Sequence, residues 1–234
     1  PPLTTLLSPE EPLLAEDLND FLNSNKLWRF TRGGGEALSL AVRYARSITK
    51  SDEILVCGYH GWHDWYLASN LSSTNNLNST FLEGLKPVGV PKFLINSTYT
   101  PQTLDKITIE KKVRDKNIKI IVIEAARYEY LDKEISQFLK KFQLEGGVII
   151  ADEVTSGFRV EKKTAVSKLE IVPDIIVLGK GLGGGWPIAA VGIDYSYKMI
   201  IEDVFASSTF WTEQNGLIAG RLTLKRLKKW DNFY

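Results

Sequence analysis

The sequence predicts an α/β fold with a mostly parallel sheet. First, stretches with apolar residues at helical spacing alternate with short apolar runs. Second, several of these runs are apolar at consecutive positions, as in central parallel strands that are buried on both faces. Third, the 234 residues are 44% hydrophobic and 24% charged, which is enough apolar material for one large core.

The expected helices have an apolar stripe on one side. The clearest begins at Glu36, where apolar residues recur at 37, 38, 40, 41, 44, 45 and 48 directly after a run of glycines. The segments with this spacing are 11–23, 36–49, 101–115, 131–144 and 213–228.

The expected strands are short apolar runs between turn-forming residues. They are 53–57, 92–95, 118–124, 147–151, 174–178 and 188–193. Segment 69–80 is polar and rich in Ser and Asn, so it is predicted to be a loop.

Composition argues against several classes of protein. The net charge of +1 implies no general attraction to nucleic acid or to an anionic membrane. Apolar runs such as 120–123 are far too short to cross a bilayer, and the first residues do not resemble a secretory signal. A single cysteine, Cys57, cannot form an internal disulfide. We therefore expect a cytoplasmic, reducing location.

Three charged residues lie at the carboxyl ends of predicted strands, where ligands bind in open α/β sheets: Glu124, Asp152 and Lys180. A lysine that is partly removed from water becomes an amine nucleophile towards carbonyls, whereas a buried carboxylate needs a cation or donors. Pyridoxal 5'-phosphate would satisfy both, through a Schiff base to the lysine and a protonated ring nitrogen beside the acid. The alternative is that Asp152 caps a helix and Lys180 ends a strand in solvent.

A glycine-rich helix start at 31–37, TRGGGEA, is suited to the phosphate of that cofactor. Glycines let the backbone approach closely, and a helix N-terminus favours an anion. A plain turn is the alternative. The pattern is neither a P-loop nor a dinucleotide fingerprint, and in GKGLGGG at 179–185 the lysine precedes the glycines.

Aromatic residues in 57–66 follow another predicted strand, and Tyr59 is the best candidate to stack on a ligand ring. The alternative is a hydrophobic cluster beneath a loop. His60 and His63 have no nearby third ligand, so no metal site is predicted.

Six motifs in order resemble the class III pyridoxal-phosphate-dependent aminotransferases, nearest to glutamate-1-semialdehyde aminomutase and its aminotransferase-like relatives. They are GGGEA at 33–37, YHG at 59–61, IVIE at 121–124, DEVTSGFR at 152–159, LGKGLGGGWP at 178–187 and SSTFWT at 207–212. The resemblance implies the large domain of fold type I: a seven-stranded, mostly parallel sheet flanked by helices. It also implies a homodimer whose sites are shared between subunits.

The resemblance further assigns roles to residues. Lys180 would hold the cofactor as a Schiff base and then move the substrate proton, and Asp152 would pair with the ring nitrogen. Val154 would pack below the ring and Tyr59 above it. The cofactor-binding residues so implied are Gly34, Gly35, Tyr59, Glu124, Asp152, Val154, Lys180 and Thr209.

Within that set, Gly34 and Gly35 would supply N–H groups to the phosphate, and Glu124 would lie near the ring. Thr209 would reach the phosphate of the neighbouring subunit's cofactor. The reaction would be transamination between a small amino donor and a carbonyl acceptor.

Departures from the family pattern favour an aminotransferase-like relative over the aminomutase. Glycine replaces the usual threonine or serine in 33–35, Ala125 replaces a proline, and FWTE at 210–213 replaces a turn of small residues.

The expected domain is a single cofactor-binding large domain over 1–234. The family's N-terminal segment and C-terminal small domain are not evident, so a piece of a longer protein is expected. Two alternatives stay open: a truncated or degenerate member that binds the cofactor with little turnover or has a structural role, and a different enzyme or binding module on a similar sheet.

Overall fold

One seven-stranded sheet with helices on both faces forms the centre of the protein. The computed structural model describes residues 8–73, 75–80, 83–127 and 129–230. The strands are β1 (Lys26–Thr31), β2 (Ile54–Cys57), β3 (Thr98–Tyr99), β4 (Ile120–Ile123), β5 (Val148–Glu153), β6 (Ile175–Leu178) and β7 (Ala189–Asp194). The helices are α1 (Glu10–Leu22), α2 (Gly34–Thr49), α3 (Asp64–Leu67), α4 (Lys106–Asp115), α5 (Lys133–Leu144), α6 (Ala165–Lys168), α7 (Lys198–Ile201) and α8 (Gln214–Lys228).

The strand order is β1-β7-β6-β5-β4-β2-β3. Pairing is parallel from β6 through β5, β4 and β2 to β3, and only β7 runs antiparallel to its neighbours β6 and β1. The predicted α/β class with a mostly parallel seven-stranded sheet is therefore confirmed.

Alternate residues of the central strands face two different layers of helix. Val148 and Ile150 of β5 face the cluster formed with α2, whereas Ile149 and Ala151 face the clusters formed with α1, α5 and α8. Both faces are covered, which explains the continuous apolar runs. Because side chains alternate along a strand, Asp152 lies on the α2 face and Glu153 on the opposite face.

Four of the five predicted helices correspond closely to α1, α2, α5 and α8. The predicted helix 101–115 is wrong over its first residues, since α4 begins at Lys106. The Asp105 carboxylate accepts a hydrogen bond from Thr108 N at 2.9 Å and thereby caps the helix.

The predicted strand 92–95 is wrong. Residues Lys92–Leu94 form a 3₁₀ turn in which Phe93 is exposed, and the strand that pairs with β2 comes later, at Thr98–Tyr99. Strand β1 was missed, because its sequence KLWRFT mixes charged and apolar residues on both faces.

The loop predicted at 69–80 contains two 3₁₀ turns, Ala68–Asn70 and Asn76–Thr80, and position 74 lies outside the described residues. Asn70 is buried, and its side-chain oxygen accepts a hydrogen bond from Leu77 N at 2.9 Å. The polar residues therefore organise a folded segment.

Across the described ranges, none of the helices has the length and apolar character needed to cross a bilayer.

Candidate active site

Asp152 lies inside strand β5, one residue before its end, on the α2 face of the sheet. The carboxylate is buried, and its Oδ1 accepts a hydrogen bond from Val154 N at 3.0 Å. The alternative that Asp152 caps a helix is wrong, because the residue belongs to the strand. Its burial makes the carboxylate dependent on partners that satisfy its charge.

His60 supplies one such partner. Its Nδ1 lies 2.8 Å from Asp152 Oδ2, and both side chains are almost completely buried. Against an ionised carboxylate, Nδ1 carries the proton and donates it. Nε2 of the same ring is buried without a hydrogen-bond partner in the described part of the chain.

The pairing of His60 with Asp152 was not predicted from the sequence, because the two residues are 92 positions apart. Over the ranges the structure covers, no group of three His, Cys, Asp or Glu residues is arranged to hold a metal ion.

Lys180 lies two residues beyond β6, at the start of a 3₁₀ turn. Its backbone φ is +38°, a value that residues other than glycine rarely adopt and that often marks functional sites. The side-chain Nζ donates a hydrogen bond to Thr155 Oγ1 at 2.9 Å.

The expectation that Lys180 is partly desolvated is wrong for this chain alone. The side chain is exposed, as the alternative with Lys180 in solvent expected. The physical reason is that the residue follows the end of the strand, beyond the layers of helix that cover the sheet.

Val154 connects the lysine turn with the glycine-rich helix start. A Cβ built on Gly34 would lie 2.8 Å from Val154 Cγ1, and a Cβ on Gly179 would lie 3.3 Å from the same atom. Val154 thus packs between the first residue of α2 and the residue before Lys180. The predicted cofactor-binding residues Gly34, Val154 and Lys180 are brought together at the carboxyl ends of β5 and β6.

The start of α2 presents backbone N–H groups. The Glu36 carboxylate accepts hydrogen bonds from Arg32 N at 2.9 Å and Gly33 N at 3.1 Å. The first helical hydrogen bond runs from Ala37 N to Gly33 O, so Gly34 N and Gly35 N have no acceptor within the helix. These two groups are suited to an anion.

The ring of His63 fills the space beside Gly35. A Cβ there would lie 2.3 Å from His63 Cε1. His63 therefore packs against the start of α2.

Tyr59 is held by Glu124, which follows β4 directly. The Glu124 carboxylate accepts a hydrogen bond from Tyr59 N at 2.8 Å and forms an ion pair with Arg127 at 2.7 Å. Arg127 Cζ lies 5.3 Å from the centroid of the Tyr59 ring, a cation–π distance. Tyr66 packs edge-on against the same ring at 5.9 Å, as the alternative of a hydrophobic cluster expected. Stacking of Tyr59 on a ligand ring stays a prediction.

Arg127 was not identified from the sequence as a site residue. Gly58 lies beside the same carboxylate, with φ +140°, and a Cβ there would lie 2.9 Å from Glu124 Oε2. The close approach of Glu124 to the backbone therefore depends on glycine at this position.

Thr209 begins the 3₁₀ turn Thr209–Thr212 and is exposed. The Arg32 guanidinium links this turn to the glycine-rich helix start, donating to Trp211 O at 2.6 Å and pairing with Glu213 at 3.5 Å. Burial lowers the pKa of Arg32, and the nearby Glu213 opposes that effect. The role predicted for Thr209 is contact with the cofactor phosphate of a neighbouring subunit, and it stays a prediction.

The sequence model of the family described as aminotransferase class-III matches residues 5–231. The chain belongs to this family. A relative, glutamate-1-semialdehyde 2,1-aminomutase of Sulfolobus acidocaldarius, is 31% identical over 95% of the chain. The chain covers 54% of that relative and so spans about half of its length.

Solved structures of transaminases have the same fold as this class III chain. A transaminase with PLP bound superposes with a TM-score of 0.83 and 26% identity, covering 96% of the chain and 55% of that structure. An omega-transaminase from Sphaerobacter thermophilus has a TM-score of 0.81 and 23% identity over 96% of the chain and 55% of its own. The resemblance seen in the six motifs is confirmed.

Proposed function

We propose that the protein is a pyridoxal-phosphate-dependent aminotransferase. The observation that carries this proposal is the meeting of Lys180, Val154 and the start of α2 at one sheet edge, with the buried Asp152 carboxylate on the adjoining strand. A class III chain that combines a glycine-rich helix start, a buried acid and an amine has the groups that the phosphate, ring nitrogen and aldehyde of the cofactor require. Its similarity to a transaminase with PLP bound supports the same function.

The residues present fit this cofactor chemically. Gly34 N and Gly35 N would bind the phosphate, and glycine suits both positions because a Cβ would lie against Val154 or His63. Asp152 would take the protonated ring nitrogen, since its burial favours a cationic partner. Val154 and Tyr59 would cover the two faces of the ring.

The bound cofactor supplies an aldehyde carbon and a ring that accepts electrons from the substrate. Lys180 Nζ would hold the cofactor through that carbon and, when free, would take and return the proton of the substrate carbon that bears nitrogen. His60 would keep Asp152 oriented through Nδ1, while Glu124 would hold Tyr59 in place through its backbone N–H.

The wider assignments belong to the same proposal. The chain would act as a homodimer, in which the exposed Thr209 reaches the partner's cofactor, and would use a small amino donor and a carbonyl acceptor. Residues 1–234 would form the cofactor-binding large domain. A reducing, cytoplasmic location is supported by the free and buried Cys57.

Lys180→Ala tests the central residue. The purified protein is incubated with pyridoxal phosphate, its visible absorption is recorded, and borohydride is added to make the adduct permanent for mass spectrometry. We expect the adduct on Lys180 in the wild-type protein and in the control Lys198→Ala, and none in Lys180→Ala. Lys198 is suitable as a control because it is a surface residue 3.8 Å from Glu202. An adduct of wild-type yield in Lys180→Ala would refute the assignment.

A second candidate function is cofactor binding with little turnover, which the exposure of Lys180 in the single chain favours. The two candidates differ in a half-reaction. The loaded protein is mixed with a panel of amino donors. The visible absorption of the lysine adduct should be lost if the protein is a transaminase, and should stay unchanged if the protein only binds the cofactor.

A further inference from the structure

Thr155 is in contact with the amine of Lys180 but does not belong to the set of residues assigned above. Its Oγ1 accepts the hydrogen bond from Lys180 Nζ at 2.9 Å. Thr155 follows Val154 in the turn after β5, whereas Lys180 follows β6, so the bond joins two neighbouring strand ends.

The turn that carries Thr155 is anchored on both sides. Before it, Val154 N donates to the Asp152 carboxylate at 3.0 Å. After it, the Ser156 hydroxyl donates to the buried Glu153 carboxylate at 2.6 Å, and Gly157 N donates to Glu153 O at 2.9 Å. The hydroxyl of Thr155 is therefore presented from a backbone with little freedom to move.

Gly181 allows the lysine turn to approach this anchored turn, and Gly157 allows the anchored turn to fold tightly. A Cβ on Gly181, directly after Lys180, would lie 3.0 Å from Gly157 O, and a Cβ on Gly157 would lie 2.7 Å from Glu153 O. Both contacts are with backbone atoms, which cannot rotate away. The separation of Lys180 from Thr155 is thus set by close backbone packing and by the positive φ of Lys180.

We infer that Thr155 is a positioning residue that orients Lys180 Nζ for attack on the aldehyde of pyridoxal phosphate, an inference that rests on the proposed function. A neutral amine has two N–H bonds and one lone pair. When one N–H is donated to Thr155, rotation of the amine about its Cε–Nζ bond is restricted. The lone pair of Nζ then points in a narrower range of directions.

The contact is compatible with the covalent step. The Nζ lone pair forms the new C–N bond while both N–H bonds are still present, so the bond to Thr155 can persist during attack. The aldehyde oxygen then leaves as water with the two amine protons. No further reactant is needed.

The test compares Thr155→Val, which keeps the branched shape and lacks the hydroxyl, with Thr155→Ser, which keeps the hydroxyl. The first measurement is the rate at which the cofactor-free protein forms the covalent adduct with pyridoxal phosphate. The second is the affinity for pyridoxine phosphate, which has no aldehyde and therefore reports the binding site without the lysine reaction.

We expect adduct formation in Thr155→Val to be slower by about threefold to tenfold, the size of one net hydrogen bond. Thr155→Ser should restore the rate to within about twofold of wild type, and pyridoxine phosphate should bind equally well to all three proteins. A merely structural role would instead weaken binding of pyridoxine phosphate in Thr155→Val.

Three results would overturn the inference: an unchanged rate in Thr155→Val, a rate in Thr155→Ser as slow as in Thr155→Val, or parallel losses of rate and pyridoxine phosphate affinity. Failure of the proposed function is distinguishable. Wild-type protein would then either bind neither phosphate compound, or form the lysine adduct and leave it unchanged in the half-reaction with amino donors.

Discussion

The buried carboxylate of Glu153 organises the segment that carries Val154 and Thr155, so Glu153→Gln offers a direct test of that segment's stability. Glu153 is fully buried on the sheet face opposite Asp152. Its carboxylate accepts hydrogen bonds from the Ser156 hydroxyl at 2.6 Å, Ala165 N at 3.0 Å and Val166 N at 2.8 Å.

The size of the effect follows from counting acceptors. The two backbone donors, Ala165 N and Val166 N, bond to different carboxylate oxygens. Glutamine has one oxygen, so in either orientation its amide nitrogen faces one of these N–H groups. A buried N–H without an acceptor costs about 1–3 kcal/mol, and we expect Glu153→Gln to lower the free energy of unfolding by about that amount.

The pH dependence of this loss has a definite sign. Burial raises the pKa of the Glu153 carboxyl above its ordinary value of 4.5, although its hydrogen bonds act in the opposite direction. Just above pH 4.5 the folded protein therefore holds more protons than the unfolded chain, and the stability that this group contributes falls as the pH rises. Glutamine does not titrate, so the wild-type advantage should be largest near pH 4.5 and smaller at neutral pH.

The assay is urea unfolding followed by tryptophan fluorescence across this pH range. The matched control is Glu170→Gln, because the Glu170 side chain is 84% exposed and its pair with Lys140 at 3.3 Å lies on the surface. The control should stay within about 0.5 kcal/mol of wild type. The reasoning would be refuted by a Glu153→Gln protein as stable as the control, or by a difference that grows towards neutral pH.

Two further predictions concern the helix start and the single cysteine. Gly35→Ala should lower the free energy of unfolding by about 1–3 kcal/mol and weaken pyridoxine phosphate binding, because its Cβ would lie 2.3 Å from His63 Cε1. Gly33→Ala, whose Cβ would be 4.0 Å from its nearest neighbour, should be nearly neutral in both measurements; equal effects of the two substitutions would count against the steric argument. Burial raises the pKa of Cys57 to about 12, so the native protein at pH 8 should resist iodoacetamide and react only on unfolding, whereas rapid alkylation of native protein would contradict that burial.

Much of the fold was predictable because its signals are local. The stripe beginning at Glu36 identified α2, and the consecutive apolar residues identified the buried central strands, since a parallel sheet with helices on both faces needs apolar side chains in both directions. Strand β1 was not predicted, because an antiparallel edge strand tolerates a mixture of charged and apolar residues. Its pairing with β7 also joins positions far apart in sequence.

Some residues of the candidate site could also be predicted from local sequence, whereas their contacts could not. Lys180 and Asp152 were recognisable because each follows or ends an apolar run, and the glycines at 33–35 precede a helical stripe. The partners of these residues were not recognisable. His60 meets Asp152 across 92 positions, and Thr155 meets Lys180 across 25.

The amino-acid sequence by itself determined which chemical groups the protein has and at which ends of which strands they lie, because periodicity and turn residues act over a few positions. Only the tertiary structure decided which groups touch, which carboxylates are buried, and that Lys180 stays exposed in the single chain. These properties depend on how strands and turns distant in sequence pack together, and no local pattern specifies that packing.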